Sequence, residues 1–174
     1  KINFTITDES NDNFSNLEEI LKSKIASESG ITKLLTSILK TLNIKHEIVL
    51  TSDRSNIKFD KKFEALNFLE DFLIYIPKTK KYLSPYAMES RYGFPPPLLT
   101  DNYGLFIKEV KLGDFKSGVG KIKYIKPVHA LETSDNMILD VTFHDDNLTN
   151  CNVKYTKEMS GYYAVFLQPF MHLI

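Results

Sequence analysis

The sequence predicts an α+β fold, on three observations. Within residues 27–42 the apolar side chains of Ile31, Leu34, Leu35, Ile38, Leu39 and Leu42 recur at helical spacing on one broad face. Residues 68–76 form an apolar run interrupted only by Glu70 and Asp71, and a basic turn and a short partner segment follow, as in an antiparallel hairpin. Beyond residue 104, short strand-like segments alternate with turn-forming residues. The expected architecture is a central helix against an antiparallel sheet, followed by a small β-rich half-sandwich.

Taken in order, Ile2, Phe4 and Ile6 alternate with polar residues as in a half-buried strand, and residues 8–13 are a polar break. Ser15 with Glu18 makes a capping box for a helix whose apolar face is Leu17, Ile20 and Leu21, and Lys22 and Lys24 suit its end. The central helix follows and stops near Asn43, a residue that tolerates the left-handed conformation. Residues 44–51 read as a strand and residues 52–62 as a surface loop.

In the 68–76 strand, Phe72, Ile74 and Ile76 share one face, and Asp71, Leu73 and Tyr75 share the other, which puts Asp71 inward or at a cleft edge. Lys78, Lys80 and Lys81 form a solvated hairpin tip, and Tyr82 and Leu83 begin the partner strand. The stiff stretch 93–97, with three consecutive prolines, reads as a domain connection. Residues 105–110, 120–125, 136–143 and 152–155 have strand character, whereas 162–167 fits helix or strand until Pro169 ends it.

The bulk properties are those of a globular chain. It has 174 residues, 43% hydrophobic and 25% charged, and its 22 basic and 22 acidic side chains balance, so no net field recommends nucleic acid. The lone Cys151 excludes an intramolecular disulfide and a multi-cysteine metal site. No apolar run approaches the roughly 20 residues of a membrane span. A start at Lys1 and an apolar tail at Leu173 and Ile174 lead to the expectation of a piece of a longer protein.

The order of elements resembles the bacterial transglutaminase-like superfamily over roughly residues 1–104. The resemblance is carried by the Lys22-Ser23-Lys24 segment, residues 34–49 and 67–77, the Tyr82-Leu83-Ser84-Pro85 step, and residues 93–97 and 104–107 as the exit into a following β domain. It implies a papain-like fold, a domain division at 1–104 and 105–174, flanking β-rich domains as partners, and a periplasmic or cell-surface location. The family's chemistry uses a cysteine at the start of the central helix, a histidine in the following sheet and an aspartate on the next strand. Those positions here hold Glu28, Asp71 and Ser84. A carboxylate forms no acyl intermediate with an amide at a useful rate, and an aspartate does not pass protons near neutrality as imidazole does. The expectation is an inactive domain that kept the frame, serving as a scaffold or binding module for peptide, glycan or other domains, with no cofactor and no metal. The competing reading is a hydrolase or cation-dependent enzyme using the Glu28 and Asp71 carboxylates.

Other residues are read blandly. Cys151 is a small hydrophobe rather than a nucleophile, and His46, His129, His144 and His172 lack close ligand spacing. Tyr82, Tyr86, Tyr92, Phe94 and Tyr103 cluster around the proline stretch, and the first four are the candidate binding residues.

Overall fold

The computed structural model describes residues 4–7, 11–62, 67–87, 90–112, 115–144, 147–168 and 170. It is a mixed α+β structure with mostly antiparallel sheets, and the chain divides into two compact units, Lys1–Pro127 and Val128–Ile174.

The first unit begins with a small helical lobe. Strand β1 (Thr5–Ile6) pairs in parallel with β2 (Ile25–Ala26), and helix α1 (Leu17–Ser23) lies between them in sequence. Ile2 and Asn3, expected in the first strand, lie outside the described residues. Asn16, not Ser15, caps α1: its side chain accepts from the backbone N–H of Glu18 at 2.9 Å and of Glu19 at 3.4 Å. Ser15 is drawn off because it ends a 3-10 turn, Asp12–Ser15, and its hydroxyl bonds those of Ser27 and Ser29 at 3.1 and 3.3 Å. Lys24 ends α1 at φ 62.

Helix α2 (Glu28–Thr41) forms where the helical spacing predicts one, and its main contacts are with the helical lobe. Ser27 caps it by accepting from the Gly30 N–H at 3.2 Å, and Asn43 just beyond it takes φ 53. Its apolar face is buried mainly in the first half, where Ile31 and Leu34 join Ile20 and Ala26 in one core, with Phe4, Ile6, Leu17 and Tyr86 against it. Ile38 and Leu42, placed on the same face by spacing, are exposed.

A five-stranded sheet follows, in the order β5-β4-β3-β6-β7, with every neighbouring pair antiparallel. Its strands are β3 (Glu47–Thr51), β4 (Asp71–Ile76), β5 (Lys81–Leu83), β6 (Asn102–Leu112) and β7 (Phe115–Ile125). Register sets the faces: Val49 stands opposite Leu73 and Phe106, and Tyr75 opposite Tyr82. These residues, with Leu99 and Ile125, form the core of that face. The opposite face carries Ile74 and Ile76, both buried.

The expected division at 104/105 falls inside β6, whose Leu105, Phe106 and Ile107 pair with β3, and the compact units divide at 127/128. The proline stretch is likewise no connection between the units. Gly93 donates its N–H to the Tyr82 carbonyl at 2.8 Å, Arg91 and Phe94 form a β-bridge, and Pro95 is fully buried, all within the first unit.

Among its described residues the second unit has a 3-10 turn (Ala130–Glu132), a two-stranded ribbon and an α-helix, not a half-sandwich: two of the four strand segments assigned to it belong to the five-stranded sheet. Strand β8 (Ser134–His144) pairs with β9 (Asn147–Ser160), with a register irregularity between Phe143 and His144. Met137, Leu139, Val141, Phe143, Cys151, Val153 and Tyr155 share one face by register and are all exposed. Helix α3 (Gly161–Leu167) decides the 162–167 ambiguity in favour of helix. Its first residue sits at φ +59 with the Glu132 carbonyl 2.3 Å from where a Cβ would be, so only glycine fits there.

Candidate functional site

The three positions that the resemblance singles out fall at element boundaries of the first unit. Glu28 is the first residue of α2, Asp71 the first of β4, and Ser84 the first after β5. Each boundary has a local cause: the Ser27 cap starts α2, antiparallel pairing of Thr51 with Asp71 starts β4, and Pro85 stops β5.

Tyr86 links these boundaries. Its hydroxyl donates to Asp71 Oδ1 at 3.1 Å and accepts from the Phe72 backbone N–H at 3.2 Å, while its ring packs against the helical core beneath α2. Burial pushes the phenol well above its ordinary pKa, and the negative charges of Asp71 and Glu28 raise it further. Both carboxylates therefore act on one half-buried hydroxyl.

Asp71 is also displaced from its ordinary range. Desolvation raises its pKa, and the charges of Asp53 and Glu70 add to this. Hydrogen bonds from Tyr86 and from the Asp53 backbone N–H pull the other way without cancelling the rise. Ser84 is 6% exposed, and its Oγ has no hydrogen-bond partner among the described residues. The surroundings of the Tyr86 hydroxyl are thus acid-rich. They offer hydrogen-bond acceptors and buried hydroxyls, but neither a thiolate nor an imidazole.

The remaining candidates are dispersed. His46 precedes β3 at the end opposite Thr51 and Asp71, about 16 Å away by strand rise. Cys151 is exposed on β9 opposite Phe143, in the second unit. His129 accepts from the Leu131 N–H at 3.3 Å, and the His144 side chain and all of His172 lie outside the described residues. Among the described residues no group of three or more His, Cys, Asp and Glu is placed to hold a metal ion. No helix described is long and apolar enough to cross a membrane.

The four aromatic binding candidates do not line one wall. Tyr82 is in the sheet core, with its ring centroid 5.1 Å from that of Tyr75 and 6.3 Å from that of Phe106, and burial raises its pKa as well. Tyr86 is bonded to Asp71. Tyr92 is exposed, with its hydroxyl bonded to that of Thr79, and Phe94 is half-buried at the β-bridge with Arg91. Tyr103 packs on Tyr124 with the Lys61 ammonium 5.1 Å from its ring. The role of Tyr86 escaped the sequence reading, although its place two residues past Ser84 could have marked it. Comparison with family models, with curated proteins and with solved structures finds no match.

Proposed function

We propose that this chain is a non-catalytic binding module on a transglutaminase-like, papain-type frame, the reacting groups of which are replaced by Glu28, Asp71 and Ser84. The observation that carries this reading is Tyr86. Its phenol is anchored to Asp71 and to the Phe72 backbone at the start of β4, within reach of the Glu28 charge. A substrate carbonyl would have to displace a ring packed in the helical core, and it would then meet carboxylates rather than a nucleophile.

One observation favours the acid–base alternative: the raised pKa of Asp71 is what a general acid needs. A single experiment separates the two readings. The chain is incubated with casein and a fluorescent primary amine, and in parallel with a fluorogenic peptide and a fluorogenic glycoside panel, beside Glu28→Ala/Asp71→Ala. The binding-module reading expects signal at the blank level from both proteins. Turnover by the unaltered chain that disappears in the double variant would establish the enzyme instead.

A further inference from the structure

A concavity lies at the C-terminal end of α2, lined by none of Glu28, Asp71, Ser84 and Tyr86. It is a cleft of about 800 Å³ between the C-terminal half of that helix, the segment entering β3, and the β6–β7 hairpin. That volume is within the range of ligand sites. Ile44, Ile48 and Ile107 supply apolar surface, and the register places Ile48 directly opposite Ile107 on the sheet.

Its charges are lopsided. Four lysines, Lys40, Lys45, Lys108 and Lys116, line the cleft against two glutamates, Glu47 and Glu109. Both glutamates are already engaged, Glu109 by Lys40 and Glu47 by Lys123 at 2.6 Å. Glu109 is held below its ordinary pKa, mainly by the bond from Lys40 and its charge, with Lys116 and His46 adding to it. Lys40 and Lys116 therefore both act on a carboxylate that Lys40 already neutralises. Among the described residues Lys45 and Lys116 form no direct ion pair, and the His46 Nδ1 lies 2.9 Å from the Ile44 carbonyl oxygen.

We propose that this cleft binds an acidic peptide segment in which carboxylate side chains alternate with apolar ones. The apolar surface would take the latter, and Lys45 and Lys116 the former. Nucleic acid fits less well, because the lining holds no Phe, Tyr or Trp on which a base could stack, and the chain as a whole is charge-balanced. A bare inorganic anion would leave the isoleucines unused. The proposal is independent of how the Tyr86 site is read, since that site contributes no residue to the cleft.

The test uses fluorescence anisotropy on the whole chain with a labelled Leu-Glu hexapeptide repeat, a Leu-Lys repeat, a hexaglutamate and a single-stranded oligonucleotide. Saturable binding of the Leu-Glu probe alone, weakened by added salt, is expected. Lys45→Glu/Lys116→Glu, two exposed changes, is expected to weaken it about tenfold or more, as two attractive contacts become repulsive. Ile44→Ser is expected to weaken it about threefold or more, with the far-UV spectrum unchanged. Equal binding of hexaglutamate or of the oligonucleotide would overturn the proposal, and so would Leu-Glu affinity that the lysine variant leaves unchanged. Because neither Glu28 nor Asp71 is altered, failure here leaves the amide-transfer experiment untouched.

Discussion

The Tyr86 hydroxyl donates to Asp71 Oδ1 at 3.1 Å and accepts from the Phe72 N–H at 3.2 Å, so one side chain satisfies both the carboxylate and the backbone at the start of β4. Tyr86→Phe keeps the ring in the helical core and removes both bonds. A loss of about 1–3 kcal/mol in urea unfolding is expected, because the Phe72 donor and the Asp71 acceptor are left short of a partner in a half-buried place. A change within a few tenths would mean that water replaces the hydroxyl there.

Gly30 poses a choice between two effects of opposite sign. Intrinsic propensity favours alanine over glycine inside a helix by about 1 kcal/mol. Yet a Cβ at residue 30 would lie 2.0 Å from the Phe14 carbonyl oxygen and 2.9 Å from Ile20 Cδ1. That carbonyl is itself held by the Ser27 N–H at 3.0 Å and the Ser27 hydroxyl at 3.2 Å, so it has little room to retreat. Gly30→Ala is expected to destabilise the chain by about 1–3 kcal/mol net, read from thermal or urea melts.

The raised pKa of Asp71 has a definite sign in stability. Between the unfolded and the folded pKa the native state binds more protons than the unfolded one, so this group's contribution falls as pH rises through that window. It is present in full below the ordinary aspartate range and lost above the folded value. Asp71→Asn keeps an acceptor for Tyr86 without a charge to desolvate. Relative to that variant, the unaltered chain is expected to lose stability between pH 3.5 and pH 7, measured by urea unfolding at each pH. The opposite slope would show the two donated hydrogen bonds outweighing burial.

Much of the first unit was legible in the sequence because its signals are local. The start and stop of α2 follow from Ser27 and Asn43, its core contacts from Ile31 and Leu34, and the β4–β5 hairpin from the apolar run and the basic turn. What escaped depended on distant partners. The assignment of β6 to the first sheet rests on Leu50 meeting Leu105 across more than fifty residues of chain, and no local pattern records that pairing. Asn16 and Ser15 are both good caps, and the choice between them was made by Ser27 and Ser29 drawing the Ser15 hydroxyl away. Glu28 at a helix start and Ser84 at a strand end were anticipated, whereas Asp71, read as lying inside a strand that begins at residue 68, is the first residue of β4, and the bond of the Tyr86 hydroxyl to it was not foreseen.

The most direct measurement places a thiol where the proposed frame would want one. In a Cys151→Ser background, which removes the exposed native thiol, the alkylation rate of Glu28→Cys by iodoacetamide is followed against pH, beside Glu28→Cys/Asp71→His, to read the thiol pKa in each. If residues 28 and 71 retain the relation of a nucleophile and its base, the paired imidazolium is expected to lower the thiol pKa by about one unit or more. Two superimposable profiles, both near the ordinary value of about 8.5, would contradict the proposed transglutaminase-like frame.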